Sequence, residues 1–368
     1  MSMGLTLLDE LEYARAPMLS AASPPTSRLP ALNRSPPTAA GQPTIQMRSP
    51  YFIRDLGTKG SLGAAEAASA WAPLCSALRQ YGIAMFSSVE SLSRIPAASV
   101  PARWSGRSSD EPFDAVELAT ADLFEISCMT RARRQWRWPN EIALERIDGL
   151  LRSVRAAAGG DTPVGLNVPL GCHPSDLQRC LSADIDFISL SSAAPRAVAA
   201  DSRAGQAAAS RATSGPLQTT SFSATELHSI VLCRQMAQQL NRPQLPMLVT
   251  APVLEIEQAH KLLALGASAV SIDHIVRQSL LLDRPPSSHE EAVGELRFQL
   301  PSLPQSVATG AKKSDLPHLE NQLKHARQTL IELLQSVGAS GLDDFNQQCL
   351  VSVSQRAQQV TGVRSLEM

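Results

Sequence analysis

Aromatic residues are scarce: Phe, Trp and Tyr make up 4% of 368 residues. Any large core must therefore be built from aliphatic side chains. There is no surplus of either charge. Lys and Arg number 33 against 34 Asp and Glu, a formal net charge of -1, which argues against nucleic acid as a main partner. No apolar run approaches the ~20 residues of a membrane span. The short apolar start runs into Asp9, Glu10 and Glu12 and does not read as a secretory signal. The six cysteines, Cys75, Cys128, Cys172, Cys180, Cys233 and Cys349, form no CxxC pair. They read as small buried hydrophobes in a reducing, cytoplasmic setting. Cys172 and His173 are adjacent, but no second pair stands at metal-ligand spacing. No P-loop or dinucleotide fingerprint is present. The expected partner is a small molecule or another protein subunit, with no nucleic acid and no membrane; the oligomeric state is left open.

What is present is an alternating pattern. Hydrophobic residues make up 43%, enough for one large barrel or two ordinary domains. Short apolar strands are expected at 45–55, 82–86, 122–129, 163–168, 186–190, 246–250 and 269–272. Helical patterns lie at 62–81, 139–158, 175–181, 222–240, 255–265 and 274–282. Pro139 suits a first helical turn, with Ile142, Leu144, Ile147, Leu150, Leu151 and Val154 near a period of 3.6. Strands alternating with helices favour parallel βαβ units. The expected fold is α/β, a (β/α)8 TIM barrel over 45–284, after an irregular N-terminal arm at 1–44. Residues 193–216 form a long loop without amphipathic order. A Pro/Ser-rich connection at 285–317 leads to a C-terminal helical hairpin at 318–365, with helical patterns at 319–337 and 343–360 broken by Gly338 and Gly341.

The stretch Ala264 to His274 reads as a helix end, a turn at Gly266 and a buried strand. In a barrel, a strand this late in the chain points its C-terminal end at the usual phosphate site. Glycine is expected there, because it lets backbone N–H groups approach an anion. Asp273 stands there instead. A carboxylate ~4 Å from a phosphate costs roughly 4 kcal/mol per charge pair at an effective dielectric of about 20, or roughly a thousandfold in affinity.

Several segments, in order, resemble the FMN-binding barrel of the glutamate synthase large subunit and its stand-alone relatives. Leu5 to Tyr13 resembles that family's opening. Ser61-Leu62-Gly63-Ala64 is similar to its "SFGALS", Gly82-Ile83-Ala84-Met85 to "GIAMNTGEGG", and Ala121 to Ile126 to "ADxIEIK". Pro163 to Asn167 is similar to "PVGVKL", Ala183 to Leu190 to "AGADFITIDG", and Ala264 to Ile272 to "ALGADAVAIG". The resemblance implies an FMN-dependent oxidoreductase of glutamate biosynthesis, acting on CH–NH2 donors. It places the cofactor positions at Met85, Phe86, Ser87, Asn167, Ser191, Ser192, Thr250, Ala251, Asp273 and His274.

The departures fall on those positions. The "NTGEGG" run becomes Phe86 to Ser91. The lysine of "VKL", which faces the flavin in the family, becomes Asn167. The "DGxxGGTGA" loop becomes Ser191 to Arg196, the "GGI" turn becomes Thr250-Ala251-Pro252, and the last strand's glycine becomes Asp273. The three-cysteine iron–sulfur signature is absent, so no cluster is expected. This pattern is that of a degenerate homologue, a pseudoenzyme with weak or no FMN binding and a binding or assembly role. The alternative is an active FMN-dependent oxidoreductase. Plainer readings stand beside these. Asn167 satisfies a backbone group inside the barrel, Asp273 caps the following helix, Ser191 and Ser192 are ordinary loop residues, and His274 sits at a helix start, whereas His173 lies near an expected strand end, where barrels place their chemistry. Arg131, Arg133, Arg134 and Arg137 with Trp136 and Trp138 form a basic–aromatic cluster, either an anion-holding loop or a solvated rim.

Overall fold

Parallel strands cannot be joined by tight turns, so each must be followed by a crossover that packs on the sheet. That requirement governs this chain. The computed structural model describes residues 8, 11–14, 49–54, 74, 76–87, 102–108, 123–127, 130–132, 135–137, 147–157, 162–192, 224–251, 253, 255–273, 275, 276, 279 and 316–365. Its strands are β1 (Leu11–Tyr13), β2 (Tyr51–Arg54), β3 (Ala84–Ser87), β4 (Ala102–Ser108), β5 (Leu123–Ser127), β6 (Thr130–Ala132), β7 (Gln135–Arg137), β8 (Val164–Pro169), β9 (Phe187–Ser191), β10 (Met247–Thr250), β11 (Ala269–Ser271) and β12 (Leu350–Ser352). The main helices are α1 (Ile147–Ala157), α2 (Pro174–Ser182), α3 (Ala224–Gln239), α4 (Ile256–Ala264), α5 (Leu316–Ser336) and α6 (Gln355–Thr361).

Eight strands close into one parallel barrel in the order β2-β3-β4-β5-β8-β9-β10-β11 and back to β2. The expected barrel is therefore present. Seven of its strands coincide with expected segments; the eighth, β4, carries the polar sequence ARWSGRS and gives no apolar signal.

Strand alternation sorts the core into two parts. Phe52, Leu123, Phe187, Leu248 and Ala269 point into the lumen and form a small cluster of their own. Their neighbours Tyr51, Ile53, Phe124, Ile126, Val164, Leu166, Ile188 and Leu190 point outward into the larger cluster under the helices. Gly165 belongs to the lumen set: a Cβ there would lie 2.5 Å from the Phe187 ring, so the missing side chain makes room for an aromatic one. Between α4 and β11, Gly266 has φ +117°, and a Cβ there would lie 3.2 Å from the Arg234 stem. Arg234 then donates to the Gly266, Pro243 and Leu245 carbonyls and ties α3 to both turns.

Helix α5 docks on the outside of the barrel. Tyr51, the outward neighbour of Phe52, places its hydroxyl 2.6 Å from Nε2 of His260 on α4 and donates to the Ala326 carbonyl of α5 at 3.4 Å. His260 is fully buried, its Nδ1 has no hydrogen-bond partner, and burial lowers its pKa to about 4.

Two expectations change. Within the arm expected to be irregular, Leu11–Tyr13 forms β1 and pairs antiparallel with β12, Leu11 opposite Ser352 and Tyr13 opposite Leu350. The second helix expected at 343–360 is instead a turn, a 3-10 turn at Gln347–Cys349, strand β12 and the short α6. The long-range partner β1 draws Leu350, Val351 and Ser352 into extended backbone. Helix α1 starts, among the described residues, at Ile147; the expected first turn at Pro139 lies outside them, as does the 193–216 loop. Among the described residues no helix is long and apolar enough to cross a membrane.

Candidate functional site

The C-terminal ends of the strands define the barrel mouth, where βα barrels place their chemistry. The lumen residues two positions beyond the apolar layer lead there. Phe52 is followed at that spacing by Arg54, Leu123 by Glu125, Gly165 by Asn167, Phe187 by Ser189 and Ser191, and Leu248 by Thr250. An apolar floor thus carries a polar layer above it.

Arg54 organises that layer. Its Nη1 donates to the hydroxyls of Ser189 (3.1 Å), Ser191 (3.1 Å) and Thr250 (3.3 Å), and its Nη2 pairs with Oε1 of Glu125. In the barrel order β5 lies three strands from β2 on one side, and β9 lies three strands away on the other. The guanidinium therefore spans the lumen. Asn167, on the strand opposite β2, donates from Nδ2 to Glu125 Oε1 (2.8 Å) and to Ser191 Oγ (2.9 Å). Arg54, Glu125, Asn167 and Ser191 close a hydrogen-bonded circuit through β2, β5, β8 and β9. The Arg54 side chain is 16% exposed and that of Glu125 4%. A charge pair this buried persists only because both partners are hydrogen-bonded.

The expected site residues divide. Asn167, Ser191 and Thr250 meet in the circuit. Ser192 is beside it, donating its hydroxyl to Glu226 at 3.2 Å and its N–H to the Thr250 carbonyl. Ala251 is buried and accepts at its carbonyl from Val253 N–H. Asp273 Oδ1 accepts the Arg54 backbone N–H at 2.6 Å, fastening the end of the last barrel strand to the first. This carboxylate works across the barrel seam, a role that helix capping alone does not describe. Met85, Phe86 and Ser87 lie on β3, of which the backbone is described. His274 lies outside the described residues.

Other candidates carry plainer duties. His173 is exposed and caps α2, its Nδ1 accepting from Ser175 N–H at 3.3 Å. The Cys172 thiol is pushed up to about 12, chiefly by burial and then by Cys180 and Asp176, the opposite of an activated thiolate. Arg131, Trp136 and Arg137 fall on the β6–β7 hairpin, with Arg131 opposite Trp136; Arg133, Arg134 and Trp138 lie outside the described residues. Among the described residues no group of three His, Cys, Asp or Glu side chains is placed to hold a metal ion.

Sequence reasoning missed Arg54, Glu125 and Ser189. The signal was available. A charged residue two positions after an apolar one in a barrel strand shares its face, and a charge facing a lumen needs a partner there.

Among the described residues, those at the ends of the last two strands do not fit an FMN phosphate. Thr250 ends β10, Ala251 follows it, and Ile272 and Asp273 follow β11, so side chains stand there where bare amides would have to approach an anion. The Asp273 carboxylate adds a like charge, and the arginine of the mouth already faces Glu125.

No protein-family model matches the chain, and no curated protein matches it. Solved structures do. A double mutant of flavocytochrome b2 with pyruvate bound superimposes with a TM-score of 0.54 at 10% identity, over 98% of this chain and 79% of that one. The recombinant flavin-binding domain of baker's yeast flavocytochrome b2 gives 0.52 at 11%, over 98% and 79%. A mandelate oxidase mutant with the monooxide FMN adduct gives 0.51 at 15%, over 92% and 86%. This chain shares the barrel fold of those flavoenzymes.

Proposed function

We propose that this chain is a flavoenzyme-type barrel of glutamate-synthase lineage that has lost tight FMN binding and acts as a binding or assembly module in the cytoplasm. The observation that carries this reading is the Arg54 circuit: the polar layer of the mouth is satisfied by the chain's own side chains. Asp273 supports it, because a carboxylate at the end of the final strand opposes an anionic tail. The partner would be a small molecule or another subunit that sits above the circuit.

The fold likeness to a mandelate oxidase with an FMN adduct favours a second reading, an active FMN-dependent oxidoreductase. One experiment separates the two. The protein is expressed with excess riboflavin, purified and examined by visible absorbance. A colourless protein is expected. A flavin band at one flavin per chain would overturn the proposal and leave the oxidoreductase.

A further inference from the structure

The Arg54 circuit has the chemistry of a receptor as well as that of a brace. A guanidinium is planar and presents donors in a rigid fork, whereas an ammonium concentrates its donors at one point. The mouth offers acceptors to match the fork: three hydroxyls on β9 and β10 lie around Nη1, and the Glu125 carboxylate on β5 meets Nη2. Glu125, Asn167 and Ser189 are at least nine-tenths buried. Asn167 takes no bond from Arg54. It donates to Glu125 Oε1 and Ser191 Oγ, which holds two of the acceptors in place. The floor beneath is Phe52, Leu123, Phe187 and Leu248, and such a floor strengthens charge-assisted hydrogen bonds above it.

We propose that the barrel mouth is a guanidinium receptor, formed by Glu125, Asn167, Ser189, Ser191 and Thr250, whose ligand is supplied in cis by Arg54. It concerns the mouth invoked in the functional reading but does not need flavin to be absent, so the two fail separately. A yellow protein leaves the receptor standing, and an empty receptor leaves the absorbance result untouched.

The test uses the full chain and guanidinium chloride at low millimolar concentration, far below denaturing levels. Arg54→Ala lowers the thermal midpoint by roughly 5 °C. Added guanidinium raises that midpoint in a saturable way, as a ligand binding only the folded state must. Sodium chloride and methylammonium chloride do not, wild type shows no such rise, and Arg54→Ala/Glu125→Gln loses the response. An Arg54→Ala protein with the wild-type midpoint, or one that guanidinium does not raise, overturns the proposal. If Arg54→Ala does not fold, Arg54→Lys decides. A wild-type midpoint there overturns the receptor, because an ammonium lacks the fork; a midpoint lowered by several degrees supports it.

Discussion

Strand β2 serves two buried polar sites, one on each face, and they are built differently. Inward, Arg54 meets hydroxyls, a carboxylate and, through Asn167, a closed circuit. Outward, Tyr51 meets His260, whose second ring nitrogen has no partner. The inner site keeps a charge in the barrel by satisfying it. The outer site keeps a titratable ring in the dark by holding it neutral. The contrast shows two answers to the same desolvation cost: pairing, or giving up the charge.

The largest effect should come from breaking the pairing. Glu125→Gln removes the carboxylate that faces the buried Arg54 guanidinium, and the expected loss is about 3 kcal/mol in urea unfolding. An unchanged midpoint would remove the circuit from the stability argument.

The outer site should respond to pH instead. Burial, the largest cause, holds His260 near 4 in the folded chain, while His325 lowers it further and the Ala326 backbone opposes. In the unfolded chain the ring titrates near about 6.5. Above that value both states are neutral and nothing is lost. As pH falls from about 6.5 to 4 the unfolded chain takes up a proton that the folded chain refuses, so stability drops by on the order of 3 kcal/mol. Unfolding measured at both ends of that window in wild type and in His260→Phe should show a smaller drop in the variant. Equal drops would exclude His260 as the source.

Smaller effects sharpen the inner layer. Gly165→Ala forces a Cβ against the Phe187 ring and should cost roughly 1–3 kcal/mol by overpacking. Gly266→Ala meets both the +117° φ and the Arg234 stem, for about 1–2 kcal/mol. Asp273→Asn keeps an acceptor for the Arg54 N–H but removes the charge, and about 1 kcal/mol is expected. Chemical denaturation of each variant measures all three, and a reversal of this order would mean that the seam matters more than the lumen.

Much of the fold was legible because its signals are local. The turn at Gly266 and the buried strand Ala269 to Ser271 follow from glycine and a short run of small residues, Ala269, Val270 and Ser271. The Phe187 and Val164 strands read as apolar runs because both faces are covered. Strand β4 was silent, since ARWSGRS has no apolar run and owes its place to the neighbours that pair with it. The extended state of Leu350 to Ser352 depends on β1, more than 300 residues away. At the site, the departures from the glycine pattern that the sequence resembles could be read one by one. The use made of the space could not, because Arg54 meets its partners only after four strands are brought together.

A closed barrel has no free strand edge, so its backbone donors and acceptors offer nothing for a second chain to extend. Among the described residues, the two-stranded ladders β1–β12 and β6–β7 do have outer edges, that of β12 bridged at Ser352 to Ser365. Unwanted sheet-to-sheet association, and any aggregation it seeds, would therefore begin at those ribbons rather than at the eight-stranded wall.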